Sequence, residues 1–106
     1  MAKAVSDVAE LKRRYENVSL SDASKVFNTE LNAMLELRNL LDVAETVATA
    51  AVNRKESRGA HACRDFPKRN DQDYLHHSLV HFSEAGPRFG TKAVALGVWV
   101  PEERKY

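Results

Sequence analysis

Fourteen consecutive residues, Arg54 to Pro67, place seven ionisable side chains, one glycine and one thiol where a long helical pattern stops. Three chemistries are open to such a run. Cys63, two residues from His61 and flanked by Arg58 and Arg64, has the neighbours that lower a thiol pKa and make a nucleophile. A lone cysteine on an irregular segment is usually incidental, so cysteine chemistry is not expected. His61 and Cys63, with His76, His77 and His81 further on, also supply metal-ligand types. The His-x-Cys spacing occurs once and no cysteine pair supports it, so packing or surface histidines are the better account. The third chemistry is recognition. Glu56 can pair with neighbouring Arg or Lys, and the guanidinium groups of Arg58 and Arg64 flank a turn and can grip carboxylates or carbonyls with two parallel hydrogen bonds. A docking site is the expectation here.

The elements that must position this run are readable. Ser6 or Asp7 can cap a first helix carrying Val8, Leu11 and Tyr15 at helical spacing and ending near Asn17. Residues 18–25 are rich in Ser and Asp, which favour a connection. Asn28 or Thr29 can then cap a major helix from Glu30 to about Glu56, free of Pro and Gly, with Glu30 well placed against the helix dipole. One apolar row runs through Leu31, Met34, Leu35, Leu37, Leu41, Ala44, Ala48, Ala51 and Val52, and a second through Ala33, Leu40, Val43, Val47 and Ala50. Two rows predict neighbours on more than one side. Gly59 is expected to stop the helix, with Arg54, Lys55 and Arg58 at the negative end of its dipole.

Residues 60–71 read as irregular, with one helical turn near Asp71 to His76. His77 to Phe82 and Thr91 to Val100 then read as strands, the second because Val94, Leu96, Val98 and Val100 alternate. The fold class predicted is mainly α: an incomplete bundle of three-helix, spectrin-repeat-like type, followed by an irregular segment and a small antiparallel β-ribbon. One domain is expected over 1–106, its helical part 5–58 and its loop and ribbon tail 59–106. Trp99, Tyr106 and Phe89 are expected to pack the ribbon and tail or to cover an adjoining domain.

Composition narrows the function classes. The 16 basic and 15 acidic residues give a formal charge of +1, without the basic field that nucleic acid requires. The single cysteine forbids an internal disulfide and suits a reducing compartment. No apolar stretch approaches the roughly 20 residues of a membrane span, and residues 1–7 lack a secretory signal. A cytoplasmic chain without direct membrane insertion is expected.

Several of these segments together resemble one family. Arg54 to His61, Arg64-Asp65-Phe66-Pro67, Arg69-Asn70-Asp71 and the terminal Pro101 to Tyr106 are similar to the C-terminal domain of the succinate dehydrogenase and fumarate reductase flavoprotein subunits. The likeness extends through Leu11 to Tyr15, Val26 to Leu31, Leu35-Glu36-Leu37 and Leu41 to Glu45. L-aspartate oxidase, a relative, carries a similar Arg-Lys-Glu-Ser-Arg-Gly-Ala-His string.

The resemblance implies a parent that interconverts succinate and fumarate within the tricarboxylic acid cycle and electron transport. In it FAD takes a hydride and passes electrons to an iron-sulfur subunit. Family members are several-fold longer and hold their flavin and substrate residues upstream of the matched region. The chain is therefore read as a C-terminal fragment, inactive alone and without a cofactor of its own. In that reading Arg54, Glu56, Ser57, Arg58, His61, Arg64 and Asp65 tie it to the flavin-binding domain. Ala93 to Gly97, small and apolar, departs from the family pattern. A freestanding helical interaction module and the C-terminal domain of L-aspartate oxidase are the alternatives. A homodimer of the fragment, through a groove left by a missing helix, is a further expectation, as is a parent complex peripheral at the cytoplasmic face of the inner membrane.

Overall fold

The computed structural model describes residues 1–102. The elements run α1 (Ala2–Tyr15), α2 (Thr29–Asn53), α3 (Asp71–Tyr74), β1 (His76–His81) and β2 (Arg88–Ala93). Helix dominates and one small antiparallel sheet follows, in agreement with the class read from the sequence. The chain divides into two compact units at Val52 and Asn53.

In the first unit α1 begins earlier than expected. Met1 occupies the N-cap position without a side-chain bond, and Ser6 donates to the Lys3 carbonyl instead of capping. The inward face of α1 is Val5, Val8, Lys12 and Tyr15, at helical spacing, whereas Leu11 stays exposed. Lys12 replaces it because its ammonium reaches α2, 2.6 Å from Glu45 Oε2 and 2.9 Å from Asp42 Oδ1. Tyr15 adds a hydrogen bond to the Met34 carbonyl at 3.0 Å, and the Arg38 guanidinium lies 5.9 Å from the Tyr15 ring centre, within cation–π range. Leu41 is the best-buried apolar residue of this unit.

Helix α2 starts as the sequence predicts. Asn28 Oδ1 accepts from the Leu31 amide at 2.8 Å, satisfying a free N-terminal donor. Glu30 turns back onto the preceding loop and accepts from the amides of Ser21 and Asp22. Those two amides hold its carboxyl below the usual range. Just before the cap, Phe27 adopts φ +56° and is 91% exposed, an uncommon backbone for a bulky side chain. The first apolar row is covered from Leu41 onward, whereas Leu31, Leu35 and Leu37 near the start of the helix are exposed. Leu40, Val43 and Val47 remain exposed, and a shallow depression of about 310 Å³ is lined by Glu36, Asn39, Leu40 and Val43.

The end of α2 corrects the sequence reading. The helix stops at Asn53, and its last turn contains no basic residue. Arg54, Lys55 and Arg58 therefore lie beyond it. Gly59, at φ +58°, shapes a separate turn in which Arg58 and His61 exchange both backbone hydrogen bonds, at 2.8 and 3.0 Å. A glycine suits this left-handed position.

In the second unit α3 is capped by Asn70, whose Oδ1 accepts from the Asp73 amide. The ribbon pairs His76 with Ala93 through His81 with Arg88. The alternating residues 94–100 are not part of it, against expectation. Gly97, at φ +59°, and a Trp99 amide to Leu96 carbonyl bond turn the chain there. Trp99 is 80% exposed, so it does not pack the ribbon, whereas Phe89 is half-buried. Tyr106 and the three residues before it lie outside the described residues.

Candidate functional site

Glu56 is the organising residue of the second unit. It is wholly removed from solvent, which for a carboxylate is tolerable only when charge partners and hydrogen bonds replace water. Its Oε1 accepts from Arg54 Nη1 and from Arg58 Nε, the latter at 2.8 Å. Its Oε2 accepts from Arg58 Nη2 at 3.0 Å and from the Asn70 amide at 2.9 Å. Burial pushes this carboxyl up, but the hydrogen bonds from Arg58, the Asn70 amide and Arg54 more than reverse that and hold it at about 2.

Each arginine carries a second duty. Arg54 donates to the carbonyls of Tyr74 (3.0 Å) and His76 (2.7 Å) and to Ser78 Oγ (3.3 Å), and it lies 5.7 Å from the Tyr74 ring centre. It therefore ties the segment after α2 to α3 and β1. Arg58 reaches Asp71 Oδ1 at 2.6 Å, and the other Asp71 oxygen takes Arg69 at 2.7 Å. Hydrogen bonding from Arg58 is the main reason the Asp71 carboxyl sits below its usual range. Arg69 extends the chain of contacts to the carbonyls of Pro101 and Glu102.

Ser57 and His61 fix the turn itself. Ser57 Oγ accepts from the Cys63 amide at 2.9 Å and donates to the Phe66 carbonyl at 2.8 Å. The Ser57 amide donates to the Lys68 carbonyl. His61 Nε2 donates to the Arg54 carbonyl at 2.9 Å, because a carbonyl can only accept. That bond satisfies one of the free carbonyls beyond α2.

Of the seven residues singled out in the sequence, Arg54, Glu56, Arg58 and His61 thus meet in one connected network, and Ser57 holds the adjoining loop through Cys63, Phe66 and Lys68. Arg64 and Asp65 do not join it; both are exposed at the tip of the loop. Arg58, expected to grip a partner, uses its guanidinium on Glu56 and Asp71. Sequence reasoning left Arg69, Asn70, Asp71 and Tyr74 out of the site. The signal for three of them was the alternating charge and capping residue of Arg69-Asn70-Asp71. Nothing marked Tyr74, whose part is played by a backbone carbonyl and a ring face.

The arrangement sets the charges of Glu56, Arg58 and Asp71 on one another. Cys63 is buried, and no group of three His, Cys, Asp or Glu among the described residues is placed to hold a metal. The residues present do not fit a flavin either. None of the four glycines follows a Gly-x-Gly-x-x-Gly spacing, and the depression on α2 is lined by side chains of a helix interior, where backbone amides are already bonded. No helix among the described residues is long and apolar enough to cross a membrane.

Comparison with known proteins gives this geometry its context. A family described as fumarate reductase flavoprotein C-term matches residues 1–106. The fumarate reductase flavoprotein subunit of Haemophilus influenzae is 45% identical over the whole chain, which covers 18% of that protein. That of Mycobacterium tuberculosis is 43% identical over the same span. The succinate dehydrogenase flavoprotein subunit of Rickettsia conorii is 44% identical over 74% of the chain and 13% of its own length. A solved structure, the FrdA chain of a mutant E. coli quinol fumarate reductase, superposes on 96% of the chain with a TM-score of 0.90 at 36% identity, covering 18% of that structure. The chain thus spans less than a fifth of the length of each of these relatives.

Proposed function

The chain belongs to the C-terminal family of fumarate reductase and succinate dehydrogenase flavoproteins, and from that premise we propose that it is the structural and docking domain of such a subunit. The parent is proposed to interconvert succinate and fumarate with FAD and to pass electrons to an iron-sulfur subunit. The names of the matched relatives favour this parent over L-aspartate oxidase. The chain itself contributes position, and no catalytic step passes through its residues.

The observation that supports this reading is the buried Glu56 held by Arg54, Arg58 and the Asn70 amide. A network so fully satisfied rigidifies the segment it spans. It therefore presents the exposed tip, with Arg64 and Asp65, in a fixed shape to the flavin-binding domain of the same subunit. We propose that the parent complex is peripheral at the cytoplasmic face of the inner membrane. The uncovered Leu40, Val43 and Val47 face is where a second copy of the isolated chain would pair.

The docking role is tested by mixing the chain with a separately prepared flavin-binding domain and following association by calorimetry. Replacing Arg64 and Asp65 by serine, exposed changes that alter stability by only about 0.5 kcal/mol each, should weaken association at least tenfold with an unchanged melting curve. Association that is indifferent to the double change overturns the proposal.

A further inference from the structure

The β1–β2 ribbon has two unlike faces. Arg54 donates to Ser78 Oγ, so the face carrying His76, Ser78 and Val80 is turned toward the Glu56 network. Side chains alternate along a strand, and the register sets His77 opposite Lys92, Leu79 opposite Gly90 and His81 opposite Arg88 on the other face. His77, His81, Arg88 and Lys92 are all exposed. None of the four forms an ion pair within 4.0 Å among the described residues. Glu84, the acid of the connecting loop, makes none either.

Each permanent cation thus stands directly across from an imidazole. A carboxylate set between the two would accept hydrogen bonds from both. The two cation levels are four residues apart, about 13–14 Å along the strand, with the half-buried Leu79 between them and His81 Nε2 3.9 Å from where a side chain on Gly90 would begin.

We propose that this face docks an acidic segment of a protein partner, which lies extended on the ribbon with carboxylates at positions i and i+4. An extended chain puts those two side chains on one side, matching the two cation levels. An anionic lipid surface is the poorer fit, because it calls for clusters of four to eight Lys or Arg and this face has one of each. Nucleic acid is disfavoured for the same reason, the chain's charge being balanced at 16 basic to 15 acidic residues.

The test titrates the isotope-labelled 106-residue chain with the capped peptide Ser-Thr-Glu-Thr-Ser-Thr-Glu-Thr-Ser and maps amide shifts. Shifts should be confined to residues 76–81 and 88–93 and should shrink with added salt. Affinity should fall at least about threefold in the Arg88→Gln, Lys92→Gln double variant, as expected for the loss of two exposed ion pairs. It should not change in Lys25→Gln, a charge-matched substitution in the first unit. Equal binding by the same peptide with glutamines overturns the proposal, and equal binding with glutamates three apart overturns the register. Ribbon shifts caused by phosphatidylserine vesicles but not by the peptide replace the protein partner with a lipid surface. No ribbon shift with any of these probes overturns it outright. Should the double variant not fold, the glutamine peptide on the unsubstituted chain decides alone.

Discussion

Arg58 meets Glu56 fork to fork, with Nε 2.8 Å from Oε1 and Nη2 3.0 Å from Oε2, and the acceptor carboxylate has no exposure to solvent. The donor is partly exposed, at 28%, so the pair straddles the surface with its acid inside. Such parallel bonds are about twice as strong as neutral ones and fix direction as well as distance. Because Arg58 also holds Asp71, the short turn after α2 and the cap of α3 move together or not at all.

Replacing Glu56 by glutamine should therefore be far more damaging than its near-identical volume suggests. The amide cannot balance two guanidinium groups, and its nitrogen would meet their donors. Breaking a buried pair from one side costs about 3–5 kcal/mol, a large share of the roughly 5–15 kcal/mol available to a domain. Urea melts of Glu56→Gln should show that loss, whereas Asp65→Asn on the exposed tip should stay within about 0.5 kcal/mol. Equal melts for the two variants would show that Glu56 does not organise the unit.

The same carboxyl sets an acid limit. Glu56 titrates at about 2 in the folded chain against an ordinary 4.5, so the folded state holds fewer protons than the unfolded one between those values. Its stabilisation is complete above pH 4.5 and is lost as pH falls toward 2. Asp71, also lowered, acts in the same direction. Melting temperature should fall steeply from pH 4.5 to 2 in the parent chain, and the fall should be shallower in Glu56→Gln, where the other lowered carboxyls, Asp71 among them, still contribute.

Ser57 offers a smaller and more local test. Its hydroxyl accepts from the Cys63 amide and donates to the Phe66 carbonyl, so alanine leaves a buried amide without its partner. A cost of about 1–2 kcal/mol is expected, with amide exchange at Cys63 faster by more than the global loss accounts for. Uniform acceleration across the unit would show that Ser57 has no particular hold on the loop.

How much of this was legible in the sequence depends on whether local or distant partners decide. The start of α2 was readable because Asn28 acts on the Leu31 amide three residues on. Its end was not, since Arg54, Lys55 and Glu56 have good helix propensity, and the chain leaves the helix where residues 70–78 take up the Arg54 and Glu56 side chains. The tail was misread for a related reason: Val94 to Val100 alternate as a strand does, yet Gly97 turns the chain before any partner strand is met. In the site, charge at Arg54 to His61 was visible. Its destination was visible only in part: Arg69-Asn70-Asp71 carries charge and a capping residue, whereas the Asn70 amide and the Tyr74 carbonyl are backbone groups that leave no mark on composition. The α1 face was misjudged at Lys12, whose raised pKa follows from hydrogen bonding to Glu45, a partner 33 positions away.

Arg69 provides the last prediction. Its guanidinium bonds Asp71 Oδ2 at 2.7 Å and the Glu102 and Pro101 carbonyls at 2.6 and 3.4 Å, three acceptors lying in the directions a planar fork can reach. Lysine keeps the charge but is a point donor on a flexible stem, so Arg69→Lys should retain the ion pair with Asp71 and release the tail. The pair is partly exposed and contributes at most about 1 kcal/mol, so the melt should hardly move. Trp99, the single tryptophan, lies two residues before the clamped carbonyls and reports their freedom directly. Its fluorescence anisotropy should drop in Arg69→Lys while the far-UV spectrum is unchanged. If the anisotropy stays at the parent value, the tail is held by something other than the Arg69 fork.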